Sequence, residues 1–125
     1  LDEITKLCYE TKLNKVKRAA GFQLVPYLCG NGGILKAETC MLLPATISVE
    51  LLISQANALD FTGQIDATFN IRQKPVWVFH GTEDTTVFPG SGRRIETMYK
   101  HYGANVRSVF NVAAEHGQVN GSVLK

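Results

Sequence analysis

The apolar positions of this chain recur in two distinct rhythms, and the order of those rhythms sets out a fold. Residues 1–18 read as a helix, with Ile4, Leu7, Cys8 and Thr11 at helical spacing and lysines on the other face. Ala19–Val25 ("AAGFQLV") is a short, nearly continuous apolar run that fits a buried strand. A long stretch from Pro26 to Thr46, punctuated by Gly30, Gly32, Gly33 and Pro44, reads as irregular. Ser48 is placed to cap a helix, because its hydroxyl can satisfy an orphan backbone N–H. Val49, Leu52, Ile53 and Ala56 form that helix's apolar face, which fades near Asp60, with Gly63 in the turn that follows. Pro75–Phe79 ("PVWVF") is apolar on both faces, as the inner strand of a parallel sheet should be. A polar loop leads to the helix "RRIETMYKHYG", whose stripe is Ile95, Met98, Tyr99 and Tyr102 and which Gly103 can end. "NVRSVFNV" is a final strand and "AAEHG" the loop after it.

Strands alternating with helices argue an α/β fold with a parallel sheet. A chain of 125 residues is enough for one small domain. Neither an internal repeat nor a domain linker interrupts it. "GNGGIL" is no phosphate loop, since it lacks Gly-Lys-Ser/Thr and does not join a strand to a helix.

The formal charge is +2, and positive residues cluster near the start (Lys12, Lys15, Lys17, Arg18) and as the pair Arg93–Arg94. With no nucleic-acid motif beside them they read as solvated faces. No apolar run approaches the ~20 residues of a membrane span, and "LDEITK" has no leader-like basic start and apolar stretch. Opening on Leu1 rather than Met, the sequence reads as a fragment or a processed chain. There are three cysteines, and Cys29 and Cys40 bracket the Gly-rich loop. They lack companions at metal-ligand spacing, so a disulfide or two free thiols are the options, and no metal or organic cofactor is expected.

In an open α/β sheet, reactive groups sit on loops at the carboxyl ends of strands. Asp84 lies just past one strand and His116 just past the next. Their order is that of a triad running Ser, acid, His. In such a triad His116 takes the hydroxyl proton and returns it to the leaving group, while Asp84 fixes the imidazole's tautomer. Each residue also has an ordinary reading: Asp84 as a turn former with Glu83 a rival acid, His116 as an exposed loop residue. His80, at the strand end, and His101, on the helix, read as structural.

The stretch from Pro75 to Gly117 resembles the carboxyl-terminal half of the polyhydroxybutyrate (PHB) depolymerases, an extracellular esterase family with a "PV-x-x-F-x-G-x-x-D-x-x-V" strand and loop and a later strand ending in "AEH". Upstream, "PYLC", "TCM", "ISVELLISQAN" and "GQID" are also similar, so the likeness runs from about Lys17 to Gly117. It implies an α/β-hydrolase fold, Asp84 and His116 as triad acid and base, a Cys29–Cys40 disulfide, a secreted protein and a polyester or small-ester substrate. Trp77 or Phe88 could then help to bind an apolar substrate, although Trp77 reads more readily as core.

Two features depart from that family. No Gly-x-Ser-x-Gly nucleophile elbow occurs in the sequence. Gly90-Ser91-Gly92 lies on the wrong side of Asp84, and Ser48 and Ser54 sit on a helix. The nucleophile is therefore expected just ahead of Leu1 or replaced in the first residues, which makes 1–125 a single incomplete domain, inactive alone. After Gly117 the chain reads "QVNGSVLK", where Asn120-Gly121-Ser122 is a glycosylation sequon or a plain turn. The alternative to an esterase part is a non-catalytic, truncated paralogue that keeps the scaffold for binding.

Overall fold

A computed structural model describes residues 18–117, so the expected first helix and the sequon lie outside the described residues. Three parallel strands form one sheet in the order β1 (Ala19–Phe22), β2 (Pro75–Phe79), β3 (Asn105–Val109). β2 pairs on both sides, with Phe79 aligned to Phe22 on β1 and to Val109 on β3. Its apolar residues serve two faces, as a central strand requires. Val76 and Val78 pack with Ile71, Ile95 and Tyr99. Trp77 and Phe79 stack at 6.0 Å on the other face, where Phe22 meets the Trp77 ring edge-on at 5.3 Å.

Among the described residues three α-helices accompany the sheet: α1 (Ile34–Leu42), α2 (Val49–Phe61) and α3 (Gly90–His101). α2 starts where Ser48 Oγ accepts from Leu51 N at 3.2 Å, a cap worth about 1 kcal/mol. It buries Val49, Leu52 and Ala56 in a cluster with Tyr27, Cys29, Cys40, Ile65 and Met98. α3 buries Ile95, Met98 and Tyr99 along the expected stripe. Tyr102 sits just beyond its end, half-buried, and donates to Asn57 Oδ1 at 2.9 Å, tying α3 to α2. Gly103, at φ 79°, turns the chain towards β3.

Three expectations need correcting. The first strand stops at Phe22, because Gln23 adopts φ 54° and swings the chain out of the sheet. The last strand likewise stops at Val109. The stretch after Pro26, read as irregular, contains α1. Ile34 and Leu35 on this helix are each 77% exposed, and only Cys40 is buried, so no apolar stripe marks it in the sequence. It is fastened instead by the Cys29–Cys40 disulfide, whose Cα atoms are 6.0 Å apart.

Candidate active site

Gln23, Asp84 and His116 follow the carboxyl ends of β1, β2 and β3 in turn, which places all three at the edge where open α/β sheets carry their chemistry. Backbone bonds hold the outgoing segments side by side beyond the strands. His80 N donates to Val109 O at 3.0 Å, Thr82 N to Val112 O at 2.9 Å, and Glu83 N to Ala114 O at 3.3 Å. At Gly81 a Cβ would strike the Ala114 carbonyl, so glycine is what lets the two loops approach.

Asp84 is 2% exposed and uses its two oxygens differently. Oδ1 accepts from Thr86 N at 3.0 Å and Val87 N at 2.8 Å, closing a turn. Oδ2 lies 3.0 Å from His116 Nδ1. The aspartate thus forms the turn, and the turn aims its second oxygen at the histidine. Glu83 is exposed and is not the acid that meets His116.

A carboxylate oxygen only accepts, so His116 carries its proton on Nδ1. Its side chain is 42% exposed, leaving Nε2 as the nitrogen available to an incoming group. Proton on Nδ1 and lone pair on Nε2 is the tautomer a general base needs.

His80 is the part of this arrangement that sequence reasoning assigned only to structure. It is 1% exposed, and Nε2 is 2.7 Å from Val87 O and 3.3 Å from Asp84 Oδ2. A carbonyl cannot donate, so Nε2 bears the proton. Burial holds the His80 pKa below the ordinary 6.5, against the opposing pull of the Val87 carbonyl and the Asp84 charge. Neutral His80 therefore gives its one ring N–H to the Val87 carbonyl and lies beside the Asp84 oxygen that His116 meets. Its Nδ1 has no partner among the described residues and faces Gly92, where a Cβ would come within 2.9 Å of it.

The serines described near this edge are committed elsewhere. Ser91 is fully buried and donates to Cys40 O at 3.0 Å, joining the start of α3 to the disulfide. Ser48 is the cap of α2. Trp77 stands in the aromatic stack on the sheet, while Phe88 is 40% exposed on the Asp84 loop. His101 is exposed on α3, against Tyr102. Among the described residues no cluster of His, Cys, Asp and Glu is suited to a metal, and no helix is long and apolar enough to cross a membrane.

The parallel sheet, its flanking helices and an acid and a histidine at its carboxyl edge make this an α/β fold of α/β-hydrolase type. The chain is 35% identical over 97 residues to the poly(3-hydroxybutyrate) depolymerase of Delftia acidovorans, which takes in 75% of this chain and 20% of that protein. Two solved structures share the fold. A PHB depolymerase complexed with an R3HB trimer superposes with a TM-score of 0.67 at 17% identity, covering 93% of this chain and 46% of that one. PHB depolymerase from Penicillium funiculosum does so with a TM-score of 0.70 at 18% identity, covering 96% and 39%. The chain thus spans a fifth of the length of the curated relative it matches. No protein-family model matches it.

Proposed function

We propose that this chain is the acid- and base-bearing, carboxyl-terminal part of a secreted serine esterase of the PHB depolymerase family. Its expected substrate is poly(3-hydroxybutyrate) or a similar ester. The observation that carries the reading is the 3.0 Å contact between His116 Nδ1 and Asp84 Oδ2, in a chain homologous to a PHB depolymerase. His116 Nε2 takes the proton from a serine hydroxyl as that oxygen attacks the ester carbonyl. It then returns the proton to the departing alkoxide, and water repeats the cycle on the acyl-enzyme. Asp84 holds the ring in the required tautomer and steadies the imidazolium. The serine and its oxyanion donors belong to a segment outside this sequence. A Cys29–Cys40 disulfide fits an extracellular setting, where such bonds persist.

The test is hydrolysis of p-nitrophenyl butyrate and of a PHB film by this chain and by the protein extended upstream. Turnover by the extended protein alone, abolished by His116→Ala, is the expected result. A folded extended protein without turnover, or one indifferent to His116→Ala, overturns the proposal. The first of those outcomes makes the chain a non-catalytic paralogue.

A further inference from the structure

Gln23 is a polar residue in the apolar run "AAGFQLV", yet it is only 2% exposed. Its φ of 54° lies in the left-handed region, which a residue with a Cβ enters at a cost. Its backbone N–H still reaches Phe79 O at 2.8 Å, so the turn begins without leaving β2 unpaired. The turn sends the side chain along the carboxyl edge of the sheet to the loop that carries His116. There Nε2 donates to Glu115 O at 2.7 Å, and Gly117 N donates to Oε1 at 2.8 Å. The two bonds grip the backbone on either side of His116.

An amide offers a donor and an acceptor side by side in this way. A carboxylate has no donor, and an aliphatic chain has neither. Because the Glu115 carbonyl only accepts and the Gly117 N–H only donates, the same pair of bonds fixes which way the amide faces. The backbone ties from the β2 loop reach Val112 and Ala114. Past them, the Gln23 amide holds the backbone around the histidine.

We propose that Gln23 is a positioning residue for His116: its amide sets the backbone on both sides of the histidine so that the ring offers Nδ1 to Asp84 and Nε2 outward. The proposal rests on the esterase reading for its purpose, but its geometry is testable without any turnover.

Two variants separate the clamp from general packing. Gln23→Asn keeps an amide and a residue tolerant of the left-handed region, but is one methylene too short to span both partners. Gln23→Glu keeps the length and the acceptor but lacks the donor. Two-bond proton–nitrogen correlation spectra of the 125-residue chain, at about pH 8 and above the imidazolium range, read the tautomer of each histidine directly.

In the parent, His116 should show the Nδ1–H form and His80 the Nε2–H form. In both variants His116 should move towards the Nε2–H form that free imidazole favours, while His80 keeps its pattern. A His116 that stays Nδ1–H in folded variants overturns the proposal. So does a parent without that form, a joint change of both histidines, or unfolding of both variants, which would make Gln23 a general structural residue. Absence of ester hydrolysis in the extended protein sinks the esterase reading alone and leaves the tautomer result standing.

Discussion

His80 and His116 meet the same oxygen of Asp84, at 3.3 and 3.0 Å, and they meet it from opposite conditions. His80 is sealed in the core, whereas the His116 side chain is 42% exposed. One histidine braces the carboxylate from within while the other uses it at the surface.

Asp84→Asn tests the outer contact. The amide can present N–H where Oδ2 stood and so favour the wrong His116 tautomer. In the extended protein, kcat for p-nitrophenyl butyrate should fall by about 10⁴, with KM little changed. A fall of less than about tenfold would remove Asp84 from the acid role.

His80→Leu tests the inner contact. It leaves the carbonyl of buried Val87 without its 2.7 Å donor, and removes the ring that lies 3.3 Å from Asp84 Oδ2. An unfolding free energy lower by about 1–3 kcal/mol in urea is expected, the cost of an orphaned buried acceptor.

The same residue gives stability a pH dependence. The His80 pKa is lowered from 6.5 in the fold, mainly by burial, so the unfolded chain binds the proton more readily. Unfolding is then favoured as pH falls below 6.5, and stability rises again as pH climbs back through that window. Thermal unfolding followed from pH 7 downward should show this slope in the parent, and His80→Leu should flatten it.

The Cys29–Cys40 bond closes a loop with a sequence separation of 11. Loop-closure entropy for a ring of that size gives about 3 kcal/mol. Calorimetry with and without a reductant should therefore show Tm falling by roughly 10–20 °C on reduction. The loss should be concentrated in α1, which the bond fastens.

Gly81→Ala would push a Cβ into the Ala114 carbonyl, where neither side is a flexible side-chain tip. The two loops must separate, at a cost of about 1–3 kcal/mol or more. Urea unfolding measures that cost, and loss of the Nδ1–H form of His116 would report that the Asp84 contact has gone with it.

The sequence made the sheet's centre and two of its helices legible because their burial is periodic. Pro75–Phe79 is apolar on both faces, and the Val49–Ala56 and Ile95–Tyr99 stripes recur at helical spacing. α1 escaped because a covalent bond, rather than an apolar stripe, docks it. That Asp84 and His116 lie together at the carboxyl edge was legible from strand-end position and chain order. Gln23 was not, since no local pattern distinguishes a buried clamp from an interruption in an apolar run. The one available signal was that interruption itself: a glutamine where the run "AAGFQLV" should have continued apolar. His80 reads as structural in the sequence, and it is buried as that reading requires, but its approach to Asp84 depends on the turn at Thr86 and Val87.

The bond from Gly117 N to Gln23 Oε1 joins positions 94 apart. It encircles nearly the whole described chain, and every strand and helix except β1 lies inside that ring. Closing so long a span brings nothing until the intervening sheet is in place. The bond that flanks the histidine thus depends on the sheet that lies between its two ends, and not on the histidine's own stretch of chain.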